Sequence, residues 1–81
     1  MPLFFFHLHD GVDQLLDEEG IELIDLETVK SQSLREARSL MAHEVLEGRL
    51  NIGQRLDIRD AAGELVHSLE FKDALRVQNE E

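Results

Sequence analysis

Residues 26–47, LETVKSQSLREARSLMAHEVLE, form the longest periodic stretch of the chain, and the other segments must pack against it. At about 100° per residue its apolar side chains gather on one side, which predicts an amphipathic helix. The members of this stripe are Leu26, Val29, Ala37, Leu40 and Met41. Asp25 can accept a hydrogen bond from the first free amides, and Gly48 can adopt the left-handed conformation that ends a helix.

Two polar residues interrupt the apolar stripe of this predicted helix. Ser33 is small enough to pack against a sheet. Glu44 also falls near the middle of the stripe, so it requires either a partner or a position beyond the surface that the helix covers.

Length and composition predict a single domain over residues 1–77 and a flexible acidic tail over 78–81. With 42% hydrophobic residues the chain can form a packed core, and with no cysteine it has no disulfide, thiol nucleophile or cysteine-ligated metal. The opening MPLFFFHLH lacks the features of a signal peptide, and no apolar run approaches the ~20 residues of a membrane span. We therefore expect a cytoplasmic protein with an intact start and no membrane association.

The charge distribution is strongly acidic and uneven. Eighteen acidic residues against eight basic ones give a formal charge of −10, which disfavours binding to nucleic acids and anionic membranes. Residues 10–27 contain eight carboxylates and no Lys or Arg. This segment is typical of a solvated loop, and a basic partner surface or a metal cation remain alternatives.

The first strand is predicted over Leu3–His9, because the segment is short, aromatic-rich and followed by the turn dipeptide Asp10-Gly11. Alternation assigns Phe4, Phe6 and Leu8 to the core face of this strand. It assigns Leu3, Phe5, His7 and His9 to the opposite face. A weak second strand is expected around residues 14–16, and Ile21, Leu23 and Ile24 are expected to anchor the segment before the helix.

After the helix, residues 54–59 and 64–71 predict an antiparallel hairpin joined by the turn at residues 60–63. In its second strand, alternation places Leu65, His67, Leu69 and Phe71 on one face and Val66, Ser68 and Glu70 on the other. The predicted fold class is α+β, with a small sheet of three to four strands, one long helix on one face, and the order β-(β)-α-β-β. The crossover is expected to be right-handed if the strands it joins are parallel neighbours.

Candidate site residues are few, and no catalytic residue or cofactor is predicted. His7 and His9 share a strand face and, with His67 from the hairpin, are candidate metal ligands, although ordinary surface or interface histidines are the commoner case. No nucleophile elbow or phosphate-binding loop is present, so the protein is not expected to be an enzyme. Because one helix covers only one side of a sheet, the opposite side is predicted to be a self-association interface. The predicted interface residues are Leu3, Phe5, His7 and Val66.

Several local patterns occur in a distinctive order. They are Phe4–Leu8 with Asp10-Gly11, the acidic segment DEEGIEL at residues 17–23, Asp25-Leu26, the helical REAR at residues 35–38, and the hairpin turn DAAG at residues 60–63. In this order they resemble a family of small bacterial single-domain proteins known as a domain of unknown function. Ile24 stands where that family often has Pro. The resemblance implies no reaction, cofactor or catalytic residue.

The chain is more distantly similar to HicB-type antitoxins, although it lacks their Pro-Gly-Cys segment. Three functional hypotheses follow from the sequence. The first is a non-catalytic interaction or regulatory domain that self-associates as a homo-oligomer. The second is an antitoxin-like module whose acidic segment, residues 10–27, binds a basic protein. The third is a metal-binding protein that uses His7, His9 and His67.

Overall fold

A computed structural model describes residues 1–78 and contains five strands, one long helix and a terminal 3-10 turn. The strands are β1 (Leu3–His9), β2 (Gln14–Leu15), β3 (Ile21–Glu22), β4 (Arg55–Asp60) and β5 (Leu65–Glu70). The helix α1 spans Leu26–Leu46, and the 3-10 turn spans Phe71–Asp73. The predicted α+β class is confirmed, with one strand more than the sequence pattern indicates. Of the predicted tail at residues 78–81, only Gln78 lies within the described residues.

All strand pairings are antiparallel, and the main sheet order is β2-β1-β4-β5. β3 pairs with the same edge of β1 as β2 does, but at the opposite end of that strand. β1 and β4 are therefore antiparallel neighbours, so the handedness rule for parallel crossovers does not apply to their connection.

The helix begins and ends as its sequence predicts. The Asp25 carboxylate accepts a hydrogen bond of 2.9 Å from the backbone N–H of Thr28, and one of 2.7 Å from its hydroxyl. At the other end, the N–H of Gly48 donates to the carbonyl of Val45, and the N–H of Arg49 donates to that of Glu44. Gly48 has φ of +85°, so these bonds form the paired closure that glycine makes favourable.

The core lies between α1 and one face of the sheet, which we call the inner face. Helix positions 29, 33, 37 and 41 are buried against it at a spacing of four residues. Ser33 is accommodated there because its hydroxyl donates to the Lys30 carbonyl at 2.7 Å. The buried apolar cluster consists of Phe4, Val29, Ala37, Met41, Leu56, Ile58, Phe71 and Ala74.

Glu44 has the partners that its position requires. Its carboxylate accepts a bond from the buried Gln54 side chain at 2.8 Å and another from the Asn51 backbone N–H at 3.1 Å. The Arg49 guanidinium lies 3.6 Å away. The carboxylate therefore fastens the connector between α1 and β4 to the last turn of the helix.

A β-bulge changes the predicted facing of residues at the start of β5. The register shifts between Ile58 and Arg59, which adds one residue to β5 relative to β4. Val66 therefore packs against the core cluster instead of facing away from it, and Leu65 is 51% exposed instead of buried. Strict alternation fails at this point because the extra residue reverses the order of faces.

Candidate functional site

The three histidines predicted as candidate metal ligands are not brought together. His7 and His9 lie on the face of β1 that points away from α1, which we call the outer face, and His9 contacts Asp57 there. His67 is paired with the core residue Ile58 and lies on the inner face. Among residues 1–78 no group of three or more potential ligand side chains is arranged to hold a metal ion.

His67 lies close to the helix residue Lys30. Burial lowers the pKa of His67, and the positive charge of Lys30 lowers it further. This side chain is therefore neutral at physiological pH, as expected for a histidine packed beside a core.

The outer face carries a polar cluster around Asp57, which is only 5% exposed. The carboxylate accepts a hydrogen bond of 2.8 Å from the Ser68 hydroxyl and one of 3.1 Å from Nε of Arg55. Its second oxygen lies 3.0 Å from Nε2 of His9. Three strands thus contribute partners to one carboxylate: β1 through His9, β4 through Arg55 and β5 through Ser68.

The electrostatics of the Asp57 cluster favour the ionised carboxylate. Burial acts to raise the pKa of Asp57, but hydrogen bonds from Ser68 and Arg55, with the charges of Arg55 and His9, more than offset burial. The resulting pKa is below the usual value. The carboxylate is therefore a stable anion that joins three strands across the outer face.

The Asp57 cluster contains the residue types of a nucleophilic triad in a different arrangement. In a triad the histidine contacts the serine hydroxyl and removes its proton. Here the serine hydroxyl donates to the aspartate, and the histidine contacts the other oxygen of the same aspartate. Within residues 1–78 no base is therefore positioned to activate Ser68, and the arrangement fits a cross-strand clamp.

A second carboxylate, Asp17, fills the gap between β2 and β3 along the edge of β1. One oxygen accepts a hydrogen bond from the Phe6 backbone N–H at 3.1 Å. The other accepts from the backbone N–H groups of Glu19 at 3.1 Å and Gly20 at 3.2 Å. The N–H of Asp17 itself donates to Nδ1 of His7 at 2.9 Å. Asp17 therefore attaches the acidic segment to the edge of β1 by hydrogen bonds.

The hydrogen bonds around Asp17 favour its ionised form and occupy one ring nitrogen of His7. Burial acts to raise the pKa of Asp17, but the backbone donors and the nearby His7 outweigh burial and leave the pKa below its usual value. Nδ1 of His7 is already occupied in this arrangement, because it accepts the hydrogen bond from the Asp17 N–H. A metal ion at Nδ1 would have to displace the Asp17 N–H.

The predicted interface residues are distributed over both faces. Leu3, Phe5 and His7 are half-buried, and the rings of Phe5 and His7 stack with centroids 6.5 Å apart and an interplanar angle of 12°. Val66 packs against the core cluster. The outer face therefore carries less apolar surface than strict alternation predicts.

Among the described residues, a cleft of about 730 Å³ opens between the β1–β2 edge and α1. Its apolar lining comes from Phe6, Leu8, Leu15, Leu16, Ile21, Leu40 and Leu56. Four carboxylate residues also line it: Asp17, Glu18 and Glu19 from the acidic segment, and Glu36 from the helix. No Lys, Arg or His is part of this lining.

The sequence shows that residues 10–27 are rich in carboxylates, but it does not show how this segment is attached to the sheet. Asp17 is one of eight carboxylates there. Nothing in its neighbouring residues shows that it accepts a hydrogen bond from the edge of β1 instead of facing solvent. Asp57 lies on the outer face, and its burial there depends on partners from two other strands, His9 of β1 and Ser68 of β5. A carboxylate in the middle of a central strand, with a histidine and a serine on the same face of neighbouring strands, is the signal that could have identified this cluster.

The residues 1–78 contain no helix with the length and hydropathy needed to span a bilayer. The family model named Domain of unknown function (DUF6894) matches residues 3–72, which is most of the chain. The chain therefore belongs to this family, as its sequence resemblance to a small domain of unknown function indicates. No curated protein and no solved structure was found to match it.

Proposed function

We propose that this member of the DUF6894 family is a non-catalytic interaction domain. The observation that carries the proposal is the open cleft, whose floor is apolar and whose rim is acidic. Exposed apolar surface gathered in one concave region is typical of binding sites. The two best-connected carboxylates support a non-catalytic role, because Asp17 and Asp57 have their oxygens committed to backbone amides and to neighbouring side chains.

Self-association through the outer face is the first mode of interaction that we propose. Its support is that α1 covers only the inner face, while Leu3, Phe5 and His7 remain half-buried on the other. A domain of 81 residues also buries a modest fraction of its surface, so burial against a second copy adds useful stability. The stacked rings of Phe5 and His7 offer a flat surface for a second copy.

Solution mass tests self-association directly. We expect light scattering after size-exclusion chromatography to give twice the chain mass of 9.3 kDa at micromolar concentrations. Leu3→Asp should return the mass to that of a monomer. Leu46→Asp is the matched control, because Leu46 is 86% exposed in the last turn of α1, which packs on the inner face, and it should leave the mass unchanged. A wild-type monomer up to several hundred micromolar would contradict this mode.

An antitoxin-like role is the second candidate, and the acidic lining of the cleft favours it. Such a module binds a basic protein, and the acidic segment of residues 10–27 contributes Asp17, Glu18 and Glu19 to the cleft. Co-purification with the products of adjacent genes tests this role. Recovery of the chain alone, from cells that express those products, would count against it.

A further inference from the structure

The cleft exists because α1 covers only part of the inner face. The helix packs on β4 and β5, while β2 and the residues that follow it extend beyond the part of the sheet that the helix covers. Phe6 and Leu8 of β1 are therefore only half-buried, although they point toward the core side. The uncovered part of the inner face forms the floor of the cleft.

The walls of the cleft combine exposed leucines with a rim of carboxylates. Leu15 and Leu16, which follow one another at the sheet edge, are 70% and 54% exposed. Large apolar side chains exposed to this degree beside an apolar floor favour a partner that covers them. Leu40 of α1 lies on the opposite wall, so apolar side chains face the opening from both sides.

The charged groups lie on both sides of the opening and have one sign. Glu18 and Glu19 project from the segment after β2, and Glu36 projects from α1, where it accepts a bond of 3.0 Å from Gln32. For the side chains of Glu18 and Glu19 the structure shows no ion pair among the described residues. A cationic side chain placed at the opening would therefore meet negative charge from either wall.

We propose that this cleft binds an amphipathic segment of another protein that presents leucine-like side chains on one face and Lys or Arg at its borders. This inference rests on the proposed interaction function and names the partner chemistry. The apolar side chains of the segment fill the floor, and its cations pair with the rim. A second copy of the chain is a poorer occupant of this cleft, because a chain with eight basic against eighteen acidic residues has few cations to place beside the four carboxylates of the lining.

Binding of designed peptides tests the inference. The probe is a 16-residue fluorescent peptide with Leu at i, i+3, i+4 and i+7 and Lys or Arg at the flanking positions. Two control peptides have the same length: one with Leu retained and Glu in place of the cations, and one with the cations retained and Ser in place of Leu. We expect anisotropy to report binding of the first peptide only, because both apolar contact and charge are needed.

Variants of the protein locate the binding site. Leu15→Asp should weaken binding of the first peptide by roughly tenfold or more, because it introduces a charge into an apolar contact. The double change Glu18→Lys and Glu19→Lys should weaken it roughly tenfold and reduce its salt dependence. Val12→Asp and Glu64→Lys are the matched controls. Both residues are exposed and neither lines the cleft, so the affinity should stay unchanged.

The peptide and variant measurements can each contradict the inference on the cleft. Equal binding of the Leu-free cationic peptide would show a purely ionic contact, and unchanged affinity in Leu15→Asp would place the contact elsewhere; either result overturns the inference. Absence of binding by all three peptides overturns it too. If the wild-type chain is nevertheless dimeric by light scattering, only the inference on the cleft fails. If the chain is also monomeric and binds no adjacent gene product, the proposed interaction function fails with it.

Discussion

Gly20 is the position at which one added methyl group should have the largest local effect. It has φ of +76°, and a Cβ there would lie 3.0 Å from Cγ of Leu3, 3.0 Å from Cε2 of Phe5 and 3.1 Å from the carbonyl oxygen of Phe4. Gly63, in the turn between β4 and β5, has φ of +85° and open space where its Cβ would be. A comparison of Gly20→Ala with Gly63→Ala therefore separates the cost of the backbone conformation from the cost of steric crowding.

The expected magnitudes follow from these two terms. A left-handed backbone costs an alanine about 1–2 kcal/mol, so Gly63→Ala should lower the free energy of unfolding by that amount. Gly20→Ala carries the same cost and adds overpacking of about 1–3 kcal/mol, because one of the three close atoms belongs to the backbone and cannot rotate away. The difference between the variants should therefore be about 1–3 kcal/mol.

Urea unfolding followed by circular dichroism measures both variants, since a chain without Trp or Tyr gives little intrinsic fluorescence. At an m-value of about 1–3 kcal/mol/M, the midpoint of Gly20→Ala should fall below that of Gly63→Ala by roughly 1 M. Equal midpoints would refute the reasoning, because they would show that Leu3 and Phe5 do not constrain Gly20. A changed m-value would indicate instead that the variant alters the compactness of one state.

Three further predictions concern carboxylates. Asp17→Ala should lower the free energy of unfolding by about 2–3 kcal/mol, because it removes the acceptor of three partly solvated backbone amides. In Glu18→Ala, whose carboxylate accepts no such bonds from the described part of the chain, the loss should stay below about 0.5 kcal/mol in the same urea titration. Because the pKa values of Asp17 and Asp57 are lowered by folding, their contribution is complete above the unfolded pKa near 4 and is lost as the pH falls through their lower folded values. The combined variant Asp17→Asn and Asp57→Asn should therefore lose less Tm than the wild-type chain as the pH falls from about 4 to about 2. An unchanged slope of Tm against pH would argue against assigning this pH dependence to the two carboxylates. Asp25→Ala should lower Tm while Asp25→Ser retains most of it, since serine also accepts the Thr28 amide; equal losses in both variants would contradict the capping role.

The sequence predicts those parts of the fold in which local chemistry and packing agree. The helix, its Asp25 cap and its Gly48 closure are read directly from periodicity and from residue type. The central strands β1 and β4 are also predicted to within about one residue. In these elements the alternation of apolar side chains matches the surface that is buried.

The parts that the sequence does not predict depend on long-range partners. β3 comprises only Ile21 and Glu22, and its pairing with Leu3 and Phe4 leaves no pattern long enough to recognise. The bulge at β5 reverses the facing of Val66, and a single inserted residue has no local signature without Gly. The cleft results from which strands the helix fails to cover, which depends on strand order.

The short strands β2 and β3 limit how the sheets of two copies can pair. Together with the Asp17 carboxylate they occupy the hydrogen-bonding groups along one border of β1, so a foreign strand finds no template there. Among the described residues β5 forms the opposite border of the sheet, whereas β2 and β3, at two residues each, are too short to be good templates for a further strand. A sheet with one usable border can be extended once, by a twofold-related copy, after which neither molecule has a border left to offer. Strand addition to the native fold through β5 would therefore end at a pair of copies.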